Sequence, residues 1–128
     1  MHARKNAPVG HELAIAAARH ADDKKAEHIT VLDLRGLSTL ADYFVICSAG
    51  SSPHLNAIRR EIADQLKIEY GISAYGSDGG LDSQWVVLDF VDVVVHILHA
   101  EKREFYALEK LWSDAPRIEW EPAGESRA

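Results

Sequence analysis

The sequence predicts an α/β protein, a single domain with a mixed β-sheet flanked by helices. Three observations carry that expectation. Helical and strand periodicities alternate along the 128 residues in the order helix, strand, strand, helix, three strands, helix. One strand, residues 42–48, is apolar on both faces, as a strand covered on two sides must be. A tight hairpin and a helical crossover occur in the same chain, so antiparallel and parallel neighbours share the sheet.

The elements follow in order. Residues 1–9 read as a flexible leader, with Pro8 and Gly10 ahead of the first helix signal. Residues 11–22 are Ala-rich, and Leu13, Ala17 and Ala21 recur at helical spacing. A strand over 29–34 ends at Arg35-Gly36, where glycine marks a turn. In the strand over 42–48, Tyr43, Val45 and Cys47 face one way and Phe44 and Ile46 the other. The longest helix follows, with Ser52 as N-cap, Pro53 as first helical residue, a stripe of Leu55, Ile58, Ile62 and Leu66, and Gly71 as terminator. Residues 72–75 form a short strand and 76–80 a flexible loop. Strands over 84–90 and 92–98 are joined by a tight turn. A last helix over 102–112 packs Phe105, Leu108 and Trp112 into the core, and Pro116 stops it. The domain therefore spans 10–116, and 117–128 is a C-terminal tail whose few anchors are Ile118 and Trp120.

Composition narrows the function classes. No apolar run approaches the ~20 residues needed to span a bilayer. The N-terminus has no apolar signal core, so a cytoplasmic protein without a membrane partner is expected. The single cysteine, Cys47, has no internal disulfide partner and reads as a small buried hydrophobe in a reducing compartment. Net charge is −6, and it is unevenly placed: residues 1–64 hold eight basic and eight acidic groups, residues 65–128 six and twelve. A basic stripe for phosphates is missing, so no direct nucleic-acid binding is expected. An acidic half suits a basic protein partner.

The catalytic and ligand motifs are thin. The stretch 48–53 runs from a strand into a helix N-terminus, where backbone N–H groups can hold a phosphate. It has neither the lysine and spacing of a P-loop nor a nucleophile elbow, and helix capping accounts for its serines. Seven histidines raise the question of a metal. His96 and His99 point to opposite faces of a strand, and His11, His20, His28 and His54 are spread along the chain without cysteines nearby, so no metal and no cofactor are predicted. Cys47 is hidden among apolar neighbours and is a poor nucleophile. Asp89 and Asp92 are a carboxylate pair without the companions that acid–base or magnesium chemistry requires.

The hairpin is the informative piece. With Phe90 and Val91 as a two-residue turn, Asp89 opposes Asp92, Val87 opposes Val94 and Trp85 opposes His96, all on one face. Val86, Leu88, Phe90, Val93, Val95 and Ile97 make the other, a pure core face. Two opposed acids cost free energy unless a cation joins them. A tryptophan among polar groups has the make-up of an interface anchor.

Several segments taken together are similar to a known family. They are Val31-Leu32-Asp33, Asp42-Tyr43-Phe44-Val45-Ile46, Trp85-Val86-Val87-Leu88-Asp89, Asp92-Val93-Val94-Val95-His96-Ile97, and the run from Arg103 to Trp112 with its Tyr106-Ala107-Leu108-Glu109-Lys110-Leu111-Trp112 end. In this order they resemble the ribosomal silencing factor family, RsfS, also called Iojap, from about His11 to Pro116. The resemblance implies a nucleotidyltransferase-like core without catalytic residues and a non-enzymatic function. Such proteins bind the large ribosomal subunit through its fourteenth-numbered protein, near the subunit interface, and block small-subunit joining, which represses translation when nutrients are short. Some assist large-subunit maturation, and homodimers are common. Two departures stand out. Asp78-Gly79 replaces the family's Glu-Gly before the tryptophan, and Val91 replaces a glycine in the hairpin turn. A valine there resists φ > 0, which predicts an altered turn.

The partner-binding residues expected on this basis are Trp85 as anchor, with Asp78, Gly79, Asp89 and His96 around it and Asp42 and Tyr43 beyond. Two rivals remain. One is a nucleotidyltransferase-like enzyme or nucleotide-binding domain using the 48–53 loop and the Asp89/Asp92 pair. The other is a dimerisation module whose hairpin face meets its own copy.

Overall fold

Tyr43–Ala49, which we call β2, is buried at every position, the condition of a central strand. A computed structural model describes residues 10–78, 84–102, 110 and 113–121, with the backbone alone for 76–78. Around β2 the chain forms α1 (Gly10–Asp23), β1 (Glu27–Asp33), α2 (Ser52–Tyr70), β3 (Gly76–Asp78), β4 (Trp85–Asp89) and β5 (Val93–His99). The sheet order is β1-β2-β5-β4-β3. β2 and β5 run parallel, and every other neighbouring pair is antiparallel. The mixed α/β sheet inferred from the sequence is therefore present.

Alternation along β2 divides the core as expected. Tyr43, Val45, Cys47 and Ala49 join the cluster beneath both helices, with Leu55, Ile58, Ile62 and Leu66 of α2 and Leu13, Ala14, Ala17, Ala18 and Ala21 of α1. Ala14, Ala17, Ala18 and Ala21 of α1 are excluded from solvent, so their small size is what lets this helix approach the sheet. Each buried Leu or Ile of α2 stabilises the fold by about 1.5–3 kcal/mol. Phe44 and Ile46 lie on the second face with Leu32, Leu34, Ala41, Leu98 and Ala115.

Four boundaries differ from the sequence expectation. The N-cap of α2 is Ser51, one residue before Ser52: its backbone is extended, and its side chain accepts from the N–H of His54 at 3.2 Å. Pro53 keeps its place in the first turn, and Gly71 closes the helix at φ +69, its N–H meeting Lys67 O at 2.9 Å. The short strand lies at 76–78, where a loop is expected, and 72–75 connect α2 to it. The ladder against β4 makes this strand, with Gly76 opposite Asp89 and Asp78 opposite Val87. Ile72 and Ala74 instead pack against the helix-side core. Chain packing also continues past Pro116. Arg117 bridges Leu32, the N–H of Ile118 donates to Val31 O at 2.9 Å, and Trp120 Nε1 donates to Ile29 O at 3.3 Å. Residues 117–120 thus cover the free edge of β1, which would otherwise present unpaired backbone groups. In the predicted last helix, residues 100–102 and 110 are helical; Phe105, Leu108 and Trp112 lie outside the described residues.

The fourth difference is the hairpin. Asp89 opposes Val94, Val87 opposes His96, and Trp85 opposes Leu98. Phe90 N–H donates to Val93 O at 2.8 Å, so the turn residues are Val91 and Asp92. The register is shifted by two residues. Because the side-chain period is also two, each residue in the strands keeps its face. Val86, Leu88, Phe90, Val93, Val95 and Ile97 are all in the helix-side core, as expected. Asp92 alone leaves the predicted face and sits exposed in the turn. Val91 adopts φ +77, the conformation for which glycine is the easy residue.

Candidate functional site

The β3–β4–β5 meander turns one side of Trp85, Val87 and Asp89 away from the helices, beside Val94, His96 and Leu98. Burial falls across this surface from Leu98 and His96, both buried, through half-buried Trp85, Val87 and Val94, to exposed Asp89. Trp85 rests against the second-face core, and its Nε1–H donates to His96 Nδ1 at 3.1 Å. The Phe44 and His96 rings meet edge to face, with centroids 4.5 Å apart.

His96 is the electrostatically unusual member. It is 6% exposed, and burial pushes its pKa down to about 4. The ring is neutral at pH 7. Because Nδ1 accepts from the indole, its proton resides on Nε2. That Nε2 is buried and has no hydrogen-bond partner among the described residues. A buried N–H left unpaired costs about 1–3 kcal/mol.

The remaining expected residues are distributed around this surface. Asp89 ends β4, and its Oδ1 accepts from the Val91 N–H at 2.8 Å. Asp78 occupies the register position opposite Val87 in β3, and Gly79 lies outside the described residues. Asp42 is exposed just before β2, with its N–H on Asp92 O at 2.9 Å. Tyr43 belongs to the other face of the sheet. It is buried under α1 beside His11, with the Arg35 guanidinium 5.4 Å from its ring centroid, and burial raises its pKa. The structure therefore joins Trp85 and His96 directly, sets Asp89 at the end of the same face, and separates Tyr43 from them.

Sequence reasoning overlooked Tyr75 beside the tip of the hairpin. Tyr75 is 84% and Val91 51% exposed, and the Tyr75 N–H is tied to Asp89 O at 2.6 Å. Exposed carboxylates of Asp42, Asp89 and Asp92 occupy the same end of the sheet. Tyr75, Phe90, Val91 and Asp92 line part of a cleft of 620 Å³ that reaches Gly10 and Leu13 of α1. The signal for Tyr75 is an aromatic four residues past the glycine that ends α2, in a stretch whose pattern suggests a strand.

The features of the rival ligand site are engaged elsewhere. Ser51 caps α2, and the Gly50 N–H donates to His54 Nδ1 at 3.0 Å, so two groups that a phosphate would use already have partners. Asp89 and Asp92 do not oppose each other. Among the described residues no helix is long and apolar enough to cross a membrane.

Fold and surface together define a small mixed-sheet α/β domain whose candidate site is a half-exposed aromatic sheet face with an acidic tip. Comparison with known proteins gives that class its identity. Residues 7–128 match the family described as ribosomal silencing factor during starvation, RsfS. A ribosomal silencing factor RsfS of Bacillus subtilis (strain 168) is 50% identical over 104 residues, covering 81% of this chain and 86% of that protein. A chloroplastic protein Iojap of Arabidopsis thaliana is 36% identical over 107 residues, 84% of this chain and 44% of that one. Two crystal structures share the fold: a Bacillus halodurans protein with TM-score 0.72 and 39% identity, covering 84% of this chain and 97% of that one, and a Chromobacterium violaceum protein with TM-score 0.75 and 29% identity, covering 89% and 94%. The chain belongs to the ribosomal silencing factor family.

Proposed function

We propose that the protein is a non-enzymatic translational repressor of the cytoplasm that binds the large ribosomal subunit through its fourteenth-numbered protein. Bound there, it excludes the small subunit by occupying its place. The mechanism is steric, and no bond is made or broken. The observation that carries this reading is the β3–β4–β5 surface: an indole held by a histidine, with exposed carboxylates at its end. Half-buried Trp85 and Val87 offer apolar area that a partner would finish burying. Asp89 and Asp42, with Asp92, would meet Lys or Arg of a basic ribosomal protein, giving encounter speed and register. Asp78, Gly79 and His96 complete the proposed contact set, and Tyr43 supports it from behind the sheet. A homodimer would bury part of the same surface.

The test is co-sedimentation with isolated large subunits, followed by addition of small subunits. Wild type should pellet with the large subunit and reduce joined ribosomes. Asp89→Arg should weaken binding tenfold or more while the protein stays folded, because it reverses a charge at an exposed site. Trp85→Ala should abolish binding. A Trp85→Phe variant keeps an aromatic if the alanine unfolds. Undiminished binding by Asp89→Arg and both Trp85 variants would move the interface to another surface. Failure of the wild type to pellet would refute the proposed mechanism itself.

A further inference from the structure

On the opposite side of the molecule, α1 and α2 bring together residues that the sequence keeps 38 positions or more apart, Asp23 with Glu61 and His20 with Glu69. His20 and Asp23 are three apart on α1 and share one side of it. Ligand atoms of His20, Asp23 and Glu61 all lie within 4.8 Å of one another. The His20 ring is set by a fourth residue. Its Nε2 lies 2.8 Å from Glu69 Oε1, and a carboxylate can only accept, so Nε2 carries the proton of that bond. The other nitrogen, Nδ1, is buried and has no hydrogen-bond partner among the described residues. It faces Asp23, whose Oδ2 is 3.5 Å away.

The geometry points to a divalent transition-metal site of the zinc class at the α1–α2 face, with His20 Nδ1 and one carboxylate oxygen each from Asp23 and Glu61 as ligands. Four features of the cluster fit. A tetrahedral zinc with ligands at about 2.0–2.1 Å requires donor atoms about 3.4 Å apart, and the His20–Asp23 separation is already 3.5 Å. The Glu61 carboxylate oxygen lies within 4.8 Å of the other two donors, and a change of side-chain rotamer in this half-buried glutamate would bring it closer. Glu69 supplies the carboxylate–histidine–metal arrangement that orients a ligating imidazole and raises its basicity. The Asp23 side chain is 62% exposed, so water has access to the remaining coordination position. One imidazole with two carboxylates suits zinc, and also nickel or manganese; magnesium and calcium prefer oxygen-only shells. A bound ion would cross-link the two helices that cover the sheet. Glu69 is a positioning residue, since it acts through His20.

The full chain, stripped with a chelator, is titrated with ZnCl₂ by calorimetry, with MgCl₂ as comparison. One saturable Zn²⁺ per chain is expected, with no saturable Mg²⁺ binding. His20→Gln and Glu61→Gln should abolish it, and Glu69→Gln should weaken it 10–100-fold. His28→Asn, which alters an exposed histidine on β1, should leave it unchanged. In the imidazole ¹⁵N spectrum, Zn²⁺ should shift the Nδ1 resonance of His20 in wild type and in His28→Asn, a readout that needs no folded His20 variant. Absence of a saturable site, Zn²⁺ binding that survives both His20→Gln and Glu61→Gln, or an unmoved Nδ1 resonance would each overturn the assignment. The last result would leave His20 as a ring held between Asp23 and Glu69.

Discussion

Acidification should destabilise this protein through His96 in particular. In the folded state burial holds the ring near pKa 4 instead of 6.5. The unfolded chain therefore takes up the proton first as pH falls. Above pH 6.5 the stabilising contribution of the neutral buried ring is fully present; it is lost progressively as pH drops toward 4. A displacement of that size corresponds to about 3 kcal/mol, a large share of the 5–15 kcal/mol that holds a domain together. The ring's 6% exposure leaves little solvent to screen the effect. Urea unfolding between pH 7.5 and 4 measures it, with His96→Gln as reference. Glutamine does not titrate, and its amide oxygen can still accept from the Trp85 indole. The variant should be less stable at pH 7, because Phe44 loses its edge-to-face neighbour. Its stability should then fall less steeply, so that the wild-type advantage shrinks by about 3 kcal/mol toward pH 4. A pH-independent difference between the two proteins, or a His96 ring that titrates near 6.5 by NMR, would refute the reasoning.

Three further outcomes follow from local features. Val91→Gly should raise stability by about 1 kcal/mol, because relief of a β-branched residue at φ +77 outweighs the added freedom of glycine in the unfolded chain. The thermal midpoint should rise by about 4 °C, and Val91→Ala should give less. Ser51→Ala should cost about 1 kcal/mol in urea unfolding by removing the cap on the His54 N–H. Trp120→Ala should cost about 2 kcal/mol and speed amide exchange at Ile118, whose N–H pairs with β1, if the C-terminal segment guards that edge.

The candidate site was legible wherever it depended on period alone. Trp85, Val87, Asp89 and His96 share a face in any even register, so an error of two residues in the turn left the face intact. The same alternation does not say how deep a residue lies. Tyr43, expected near the site, alternates to the helix side of β2, and only the position of α1 above it explains why it is buried there. Tyr75 escaped notice because its exposure results from the chain's path after Gly71, not from any pattern within 72–75.

The sequence by itself determined the α/β class, the doubly covered central strand, the two faces of the hairpin and the capped helix after β2. Each of these depends on interactions within a few residues, or on a periodicity that the chain carries wherever it goes. Tertiary structure decided the rest. It placed the turn at Val91-Asp92, where the register shared with β2 and β5 outweighs the backbone preference of a valine. It made a strand of 76–78 by pairing them with β4, and it laid 117–120 along the edge of β1. It also brought Glu61 and Glu69 of α2 to His20 of α1. Those outcomes come from contacts between distant segments, whose energies are set by which surfaces the folded layers bring together and are therefore absent from any local stretch of sequence.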